Sequence, residues 1–214
     1  MRIIRQPSCR PATRRYQNNN TVLWLIGINV IIFALTNLLR LQWLTYILSM
    51  IPVMVLRGWV WTFVTYMFAH ADIPHILFNM LALFIFGIQV ERYMGSREFL
   101  LFYFITGTLA GVFSFGVYYF TAPFTPLLGA SGAIFAVQLA FAVFYPDSII
   151  YLWGILPLRA PVMVLGFTAI ELFSSISGRN QSVAHLTHLA GFGFAWLYMV
   201  IRFGINPWKR LFNR

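Results

Sequence analysis

The sequence predicts an all-α membrane protein, a bundle of six transmembrane helices with a long interfacial first loop. Three observations carry that expectation. Of the 214 residues, 60% are apolar and 9% are charged, against roughly 45–50% and about 25% in soluble domains. A soluble globule cannot bury so much apolar surface and still cover itself with polar groups. The apolar residues gather into runs about as long as a ~30 Å hydrocarbon core requires at 1.5 Å per residue. The charges sit at the chain ends and between those runs. Disorder, a coiled coil and an ordinary cytosolic enzyme are excluded on these grounds.

Residues 1–20 form a basic tail with Arg2, Arg5, Arg10, Arg14 and Arg15 and no acid. Residues 21–39 are uncharged and make the first span. Residues 40–72 are apolar and aromatic but broken by Pro52, Arg57, Gly58 and Asp72. They read as a long loop of short helices lying in the interface. Further spans follow near 73–90, 99–120, 129–145, 149–173 and 183–203, the fourth being short. The chain thus divides into a basic cytoplasmic tail (1–20), a six-span domain (21–204) and a second basic cytoplasmic tail (205–214). With six spans both termini share a side, which carries twelve of the 15 Lys and Arg residues; Arg40, Arg57 and Arg179 fall on the other. The positive-inside rule then makes the termini cytoplasmic. The expected location is the cell (inner) membrane, in preference to the mitochondrial inner membrane.

Net charge is +10, and fourteen of the 15 basic residues are Arg. No basic stripe is interleaved with aromatics, so no nucleic acid is expected as a partner. Cys9, the single cysteine, permits no internal disulfide and is given no role. Thr13-Arg14-Arg15 before an apolar run has the look of a twin-arginine export signal, and the acid-free tail that of a mitochondrial presequence. No soluble passenger follows, and no small-residue cleavage site follows the first span, which is therefore expected to stay.

Polar side chains within spans are expensive in hydrocarbon and are functional candidates for that reason. Spans two, four and six all run from outside to inside. His75 and Asn79, Ser131, and His185 with His188 occupy the first two turns of each in that order. Polar groups from three helices therefore fall at similar depth, which implies a cavity open to water. Ser and His supply a nucleophile and a general base for acyl transfer. Ser131 sits in Gly129-Ala130-Ser131-Gly132, where glycine allows a tight turn into the helix and close approach of a substrate backbone. A helix start also offers free N–H groups to a developing oxyanion. His75 and Asn79 are four apart, share a helix face, and can both donate to that oxyanion. Phe135, four residues past Ser131, is placed to pack on an imidazole.

Each of these residues alone has a plainer account. Ser131 can be packing glue bonded to its own backbone, and His75 with Asn79 an interhelical clamp. Gly107-x-x-x-Gly111 reads as a close-packing seam. His185 and His188 have a spacing that could hold a metal, but no matching carboxylate or Cys set accompanies them; no metal or cofactor is expected. Glu171, near the outer end of span five, is a further polar candidate that either faces the cavity or snorkels, the second being the preferred reading. With no acid at matching depth in spans four or six, Ser and His read as a dyad.

In order and spacing, Tyr66-Met-Phe-Ala-His70, His75-Ile-Leu-Phe-Asn79, Glu91-x-x-x-Gly95-Ser96, Gly129-Ala-Ser131-Gly132 and His188-Leu-Ala-Gly191 resemble the rhomboid family of intramembrane serine proteases. The resemblance covers roughly residues 22–204. It implies a rhomboid-like six-helix bundle with Ser131 as nucleophile and His188, not His185, as base. It implies that His75, Asn79 and the Ser131 N–H form an oxyanion hole, that Phe135 stacks on His188, and that Gly191 and Gly193 let span six approach span four. It implies an endopeptidase acting on single-span membrane proteins, within or near the outer end of their transmembrane helix. Where the family often has Trp-Arg in the first loop, this chain has Trp61-Thr62, so the anchoring of that loop is open. Two other classes are a catalytically silent relative that only binds membrane proteins, and a small transporter, for which clear repeats and midplane charges are missing.

Overall fold

The computed structural model describes residues 20–152, 155–176 and 182–212. The N-terminal tail with Cys9, and Arg179, lie outside the described residues. Among the described residues, four helical stretches are long and apolar enough to cross a membrane: Thr21–Leu38, Ile73–Met94, Ser96–Thr121 and His185–Phe203. Two further apolar helices are shorter, Ser131–Phe144 and Ala160–Ile176.

In chain order, α1 (Thr21–Phe33) runs on through a π-helical stretch to Leu38. The first loop holds α2 (Gln42–Leu48), α3 (Pro52–Val55), α4 (Thr62–Thr65) and a 3-10 turn at Tyr66–Phe68. Its longest helix has seven residues, so the loop conceals no further span. The second span joins α5 (Ile73–Ala82) to α6 (Ile88–Met94) through a π-helical stretch. The third is α7 (Ser96–Thr121), the fourth α8 (Ser131–Phe144), the fifth α9 (Ala160–Ile176) and the sixth α10 (Ser182–Phe203), followed by a short α11 (Pro207–Phe212).

The fifth span starts at Ala160 and not at residue 149. Strands β1 (Ile149–Leu152) and β2 (Leu156–Arg159) pair as an antiparallel hairpin, with Ile149 opposite Arg159 and Leu152 opposite Leu156. A short apolar run has no period that separates strand from helix. Here Ile149, Ile150 and Tyr151 favour the extended form, and Pro157 holds the preceding residue out of the helical region.

The outer helices are apolar on the faces they expose. α1 buries Val22 and Leu25 yet leaves Leu23, Trp24, Val30 and Ile31 exposed, an arrangement stable against hydrocarbon and not against water. Its start is tied down by Glu91, which is fully buried. The Thr21 N–H donates to Glu91 Oε1 (3.0 Å), the Val22 N–H to Oε2 (3.1 Å), and the Ser96 hydroxyl to Oε1 (2.6 Å). A carboxylate at a helix N-terminus meets both the free N–H groups and the positive end of the dipole.

α8 is the central post. Gly132, Ala133, Ile134 and all of residues 136–143 are buried, against α7, α9, α10 and the second span. Its 14 residues make about 21 Å at 1.5 Å per residue, short of a ~30 Å hydrocarbon core. Wrapped by protein, it does not need lipid-matching length, and its N-terminus opens inside the bundle. The Gly107-x-x-x-Gly111 seam of α7 lies beside it. A methyl group at Gly107 would strike Met67 and crowd Ala133, and one at Gly111 would strike the Tyr66 ring. The Tyr66 hydroxyl donates to the Gly107 carbonyl (2.8 Å).

Short donors anchor the first loop. The Trp61 indole N–H donates to the Ile47 carbonyl (3.0 Å), and its ring stacks on Trp59 at 5.4 Å. Thr62, fully buried, donates to the Trp59 carbonyl (2.6 Å), and Thr65 to the Leu48 carbonyl (2.9 Å).

Candidate active site

Gly129 turns the chain into α8. Its φ of +114° is open to glycine and strained for other residues, and its N–H donates to the Tyr66 carbonyl (2.9 Å). Two residues later Ser131 opens the helix, so its hydroxyl stands among N–H groups that have no partner within the helix. His188 comes from α10, with Nε2 2.8 Å from Ser131 Oγ. When Nε2 is unprotonated, the Ser131 hydroxyl donates to it.

Helix contact sets this distance. A methyl group at Gly191 would overlap the Gly132 carbonyl oxygen, so the backbones of α10 and α8 touch one turn beyond the Ser131–His188 pair. Gly193 takes no part, because none of the described residues beyond its own helix turn lies within 4 Å of where its Cβ would be. Two residues on from Gly191, it points about 200° further round the helix, away from α8. Phe135 stacks on His188 with ring centroids 4.3 Å apart and planes 6° from parallel. The Ser114 and Thr187 hydroxyls share a hydrogen bond of 2.6 Å that ties α7 to α10 nearby.

The second span contributes the opposite wall. The point where a Gly129 Cβ would sit lies 2.6 Å from His75 Nε2 and 3.8 Å from Ser131 Oγ, so both groups border the same glycine. Asp72 caps this helix, accepting from the His75 N–H (2.8 Å). Asn79 is buried, and one of its amide hydrogens goes to the His75 carbonyl (2.7 Å); the other can serve a ligand. His70, in the loop before α5, meets the His75 ring edge-on at 5.0 Å. It is 1% exposed, and among the described residues neither ring nitrogen has a well-angled hydrogen-bond partner. Burial first, and the neighbouring His75 second, push its pKa down to about 4, while the Phe68 backbone pulls weakly the other way. His70 also lines a cavity of about 590 Å³, with Asn37, Arg40, Gln42 and Tyr46; Ser131 and His188 do not line it.

Glu171 does not snorkel. It is 9% exposed, with Oε2 2.6 Å from His185 Nδ1 and 3.1 Å from His188 Nδ1. The first contact is a hydrogen bond. The second is at ion-pair distance but off the hydrogen-bond line, and among the described residues His188 Nδ1 has no other partner. The acid missing from spans four and six thus comes from span five. The available signal was a lone carboxylate in a span, which is expensive unless partnered; helix spacing could not say which neighbour it faced. The i, i+3 histidine pair also acquires the carboxylate it lacked in the sequence. One ligand atom from each of Glu171, His185 and His188 lies within 4.8 Å of the others, a donor set of a kind that holds zinc.

Residues 57–205 match the Rhomboid domain, and the chain belongs to the rhomboid family. Over 146 residues it is 32% identical to RHOMBOID-like protein 12, mitochondrial, of Arabidopsis thaliana, covering 61% of this chain and 43% of that protein. Over 151 residues it is 30% identical to the putative rhomboid protease YdcA of Bacillus subtilis, covering 69% and 71%. Over 150 residues it is 29% identical to the rhomboid protease AarA of Providencia stuartii, covering 64% and 53%. The chain spans less than two thirds of the length of the first and third of these relatives. Family and apolar helices together make it a helical integral membrane protein.

Proposed function

We propose that this protein is an intramembrane serine endopeptidase that cleaves single-span membrane proteins within or near the outer end of their transmembrane helix. One observation carries the reading: Ser131 Oγ and His188 Nε2, 57 residues apart in sequence and on different helices, lie 2.8 Å apart. Relatives that bear the name rhomboid protease support it.

The substrate segment unwinds first, because a helical peptide keeps its carbonyls in i→i−4 hydrogen bonds; small or helix-breaking residues make that easier. Ser131 Oγ attacks the exposed carbonyl carbon as His188 Nε2 takes the hydroxyl proton. The electron pair moves to the carbonyl oxygen, where the Ser131 N–H, His75 and Asn79 donate to it. The C–N bond then breaks, and His188 passes its proton to the leaving amine. Water, deprotonated by His188, hydrolyses the acyl ester and restores Ser131. Phe135 holds the plane of the imidazole throughout. The partners are transmembrane substrates and the bilayer itself. On the twelve-to-three charge split the termini face the cytoplasm.

Purified protein should cleave a transmembrane reporter, and both Ser131→Ala and His188→Ala should abolish cleavage. Unchanged cleavage by Ser131→Ala rejects the reading. The competing account, a silent relative that binds membrane proteins without cutting them, predicts no labelling of Ser131 by a fluorophosphonate.

A further inference from the structure

We propose that Glu171 positions the general base, so that Ser131, His188 and Glu171 form a working line in which His185 clamps the carboxylate. The proposal rests on the serine-protease reading above and departs from a bare dyad. To accept the Ser131 proton at Nε2, His188 must carry its other proton on Nδ1. That nitrogen is buried, and the acceptor facing it is Glu171 Oε2 at 3.1 Å. Without the carboxylate, the Nδ1–H tautomer would leave a buried donor unpaired, which disfavours it. With it, the tautomer that leaves Nε2 free is the favoured one, and the imidazolium formed during attack gains a counter-charge.

The surroundings leave little freedom. Phe135 covers one face of the His188 ring, and His185 Nδ1 holds Oε2 at 2.6 Å. The 3.1 Å separation is already within hydrogen-bond length, and catalytic hydrogen bonds that are poorly aligned in the free enzyme commonly tighten once substrate is bound. The Ser131 proton travels to Nε2 and on to the leaving amine. The Nδ1 proton stays where it is, and Glu171 remains a carboxylate throughout.

The test compares wild type, Glu171→Gln, Glu171→Asp and His185→Phe in reporter cleavage, with Ser131→Ala as control. Glu171→Gln should lower kcat about 10²-fold, the scale of a misplaced catalytic group, with KM unchanged. Glu171→Asp should recover part of that loss, and His185→Phe should show a smaller loss of the same kind. Proton NMR on protein labelled with ¹⁵N-histidine reads the contact without turnover. A downfield Nδ1–H signal from His188 should be present in wild type and absent in Glu171→Gln. Where Glu171→Gln does not fold, the wild-type signal and the kcat of His185→Phe decide the matter. A kcat within about twofold of wild type in Glu171→Gln, with cleavage still dependent on Ser131, overturns the positioning role alone. So does absence of the wild-type signal, and so does cleavage lost to EDTA and restored by zinc, which would make the three residues metal ligands. Cleavage that survives Ser131→Ala brings down the serine reading itself, and this proposal with it.

Discussion

Replacing Gly191 by alanine puts a methyl group where α10 touches the Gly132 carbonyl of α8. That carbonyl belongs to helix backbone and cannot swing aside, so the helices must part. Restoring an ordinary carbon–oxygen contact requires about 1 Å. Ser131 is the residue next to Gly132, and His188 lies one turn before Gly191 on the same face of α10. The displacement therefore falls on the Ser131–His188 pair, now 2.8 Å apart, and carries it past hydrogen-bonding range. The expected loss in kcat is about 10²-fold, with overpacking destabilising the bundle by about 1–3 kcal/mol. Single-turnover cleavage in detergent and thermal unfolding measure the two effects separately. Gly193→Ala is the internal control, since that position has open space around it and alanine should be neutral or slightly stabilising. Wild-type kcat and thermal midpoint in Gly191→Ala would refute the idea that backbone contact sets the spacing of the pair.

Four further outcomes are expected. Asn79→Ala should reduce kcat, by as much as 10²–10³-fold if its second amide hydrogen serves the oxyanion, while the protein still folds; a wild-type rate removes Asn79 from the mechanism. Phe135→Ala should lower kcat more than it raises KM, because the imidazole loses the ring that fixes its plane; the same steady-state assay separates the two. Glu91→Ala should cost about 2–3 kcal/mol by uncapping two backbone N–H groups and the Ser96 hydroxyl, read as a lower thermal midpoint with normal turnover in the folded fraction. For His70, the pKa falls from 6.5 in the unfolded chain to about 4 in the fold, so the unfolded state binds more protons between those values. Stability then rises with pH across that window and is lost as pH drops from about 6.5 towards 4. Wild type should lose on the order of 3 kcal/mol more than His70→Phe between pH 7 and 4, measured by denaturation at each pH.

The candidate site was legible wherever its geometry is local. Ser131 and Phe135 lie one turn apart on a single helix, as do His75 and Asn79, so spacing alone placed each pair on one face. The positive φ at Gly129 is likewise a property of one residue. The first loop was readable as interfacial because Pro52, Gly58 and its charges interrupt any helix. The start of the fifth span was not, because an apolar run of β-branched and aromatic residues suits both a strand and a lipid-facing helix, and only pairing with β2 settled it.

Hydrophobic run length and charge placement are enough to specify a bundle of membrane helices, and helix period is enough to line up residues along each one. Rotation of one helix against another is a different quantity. α9 exposes Ile170, Leu172 and Phe173 on either side of buried Glu171, so its own pattern names no preferred face. Packing against α10 turned that carboxylate inward onto two histidines, and it separated Gly191, which carries the helix contact, from Gly193, which does not. Contacts between helices depend on shape and distance in three dimensions, and a linear pattern with apolar residues all round holds no record of them.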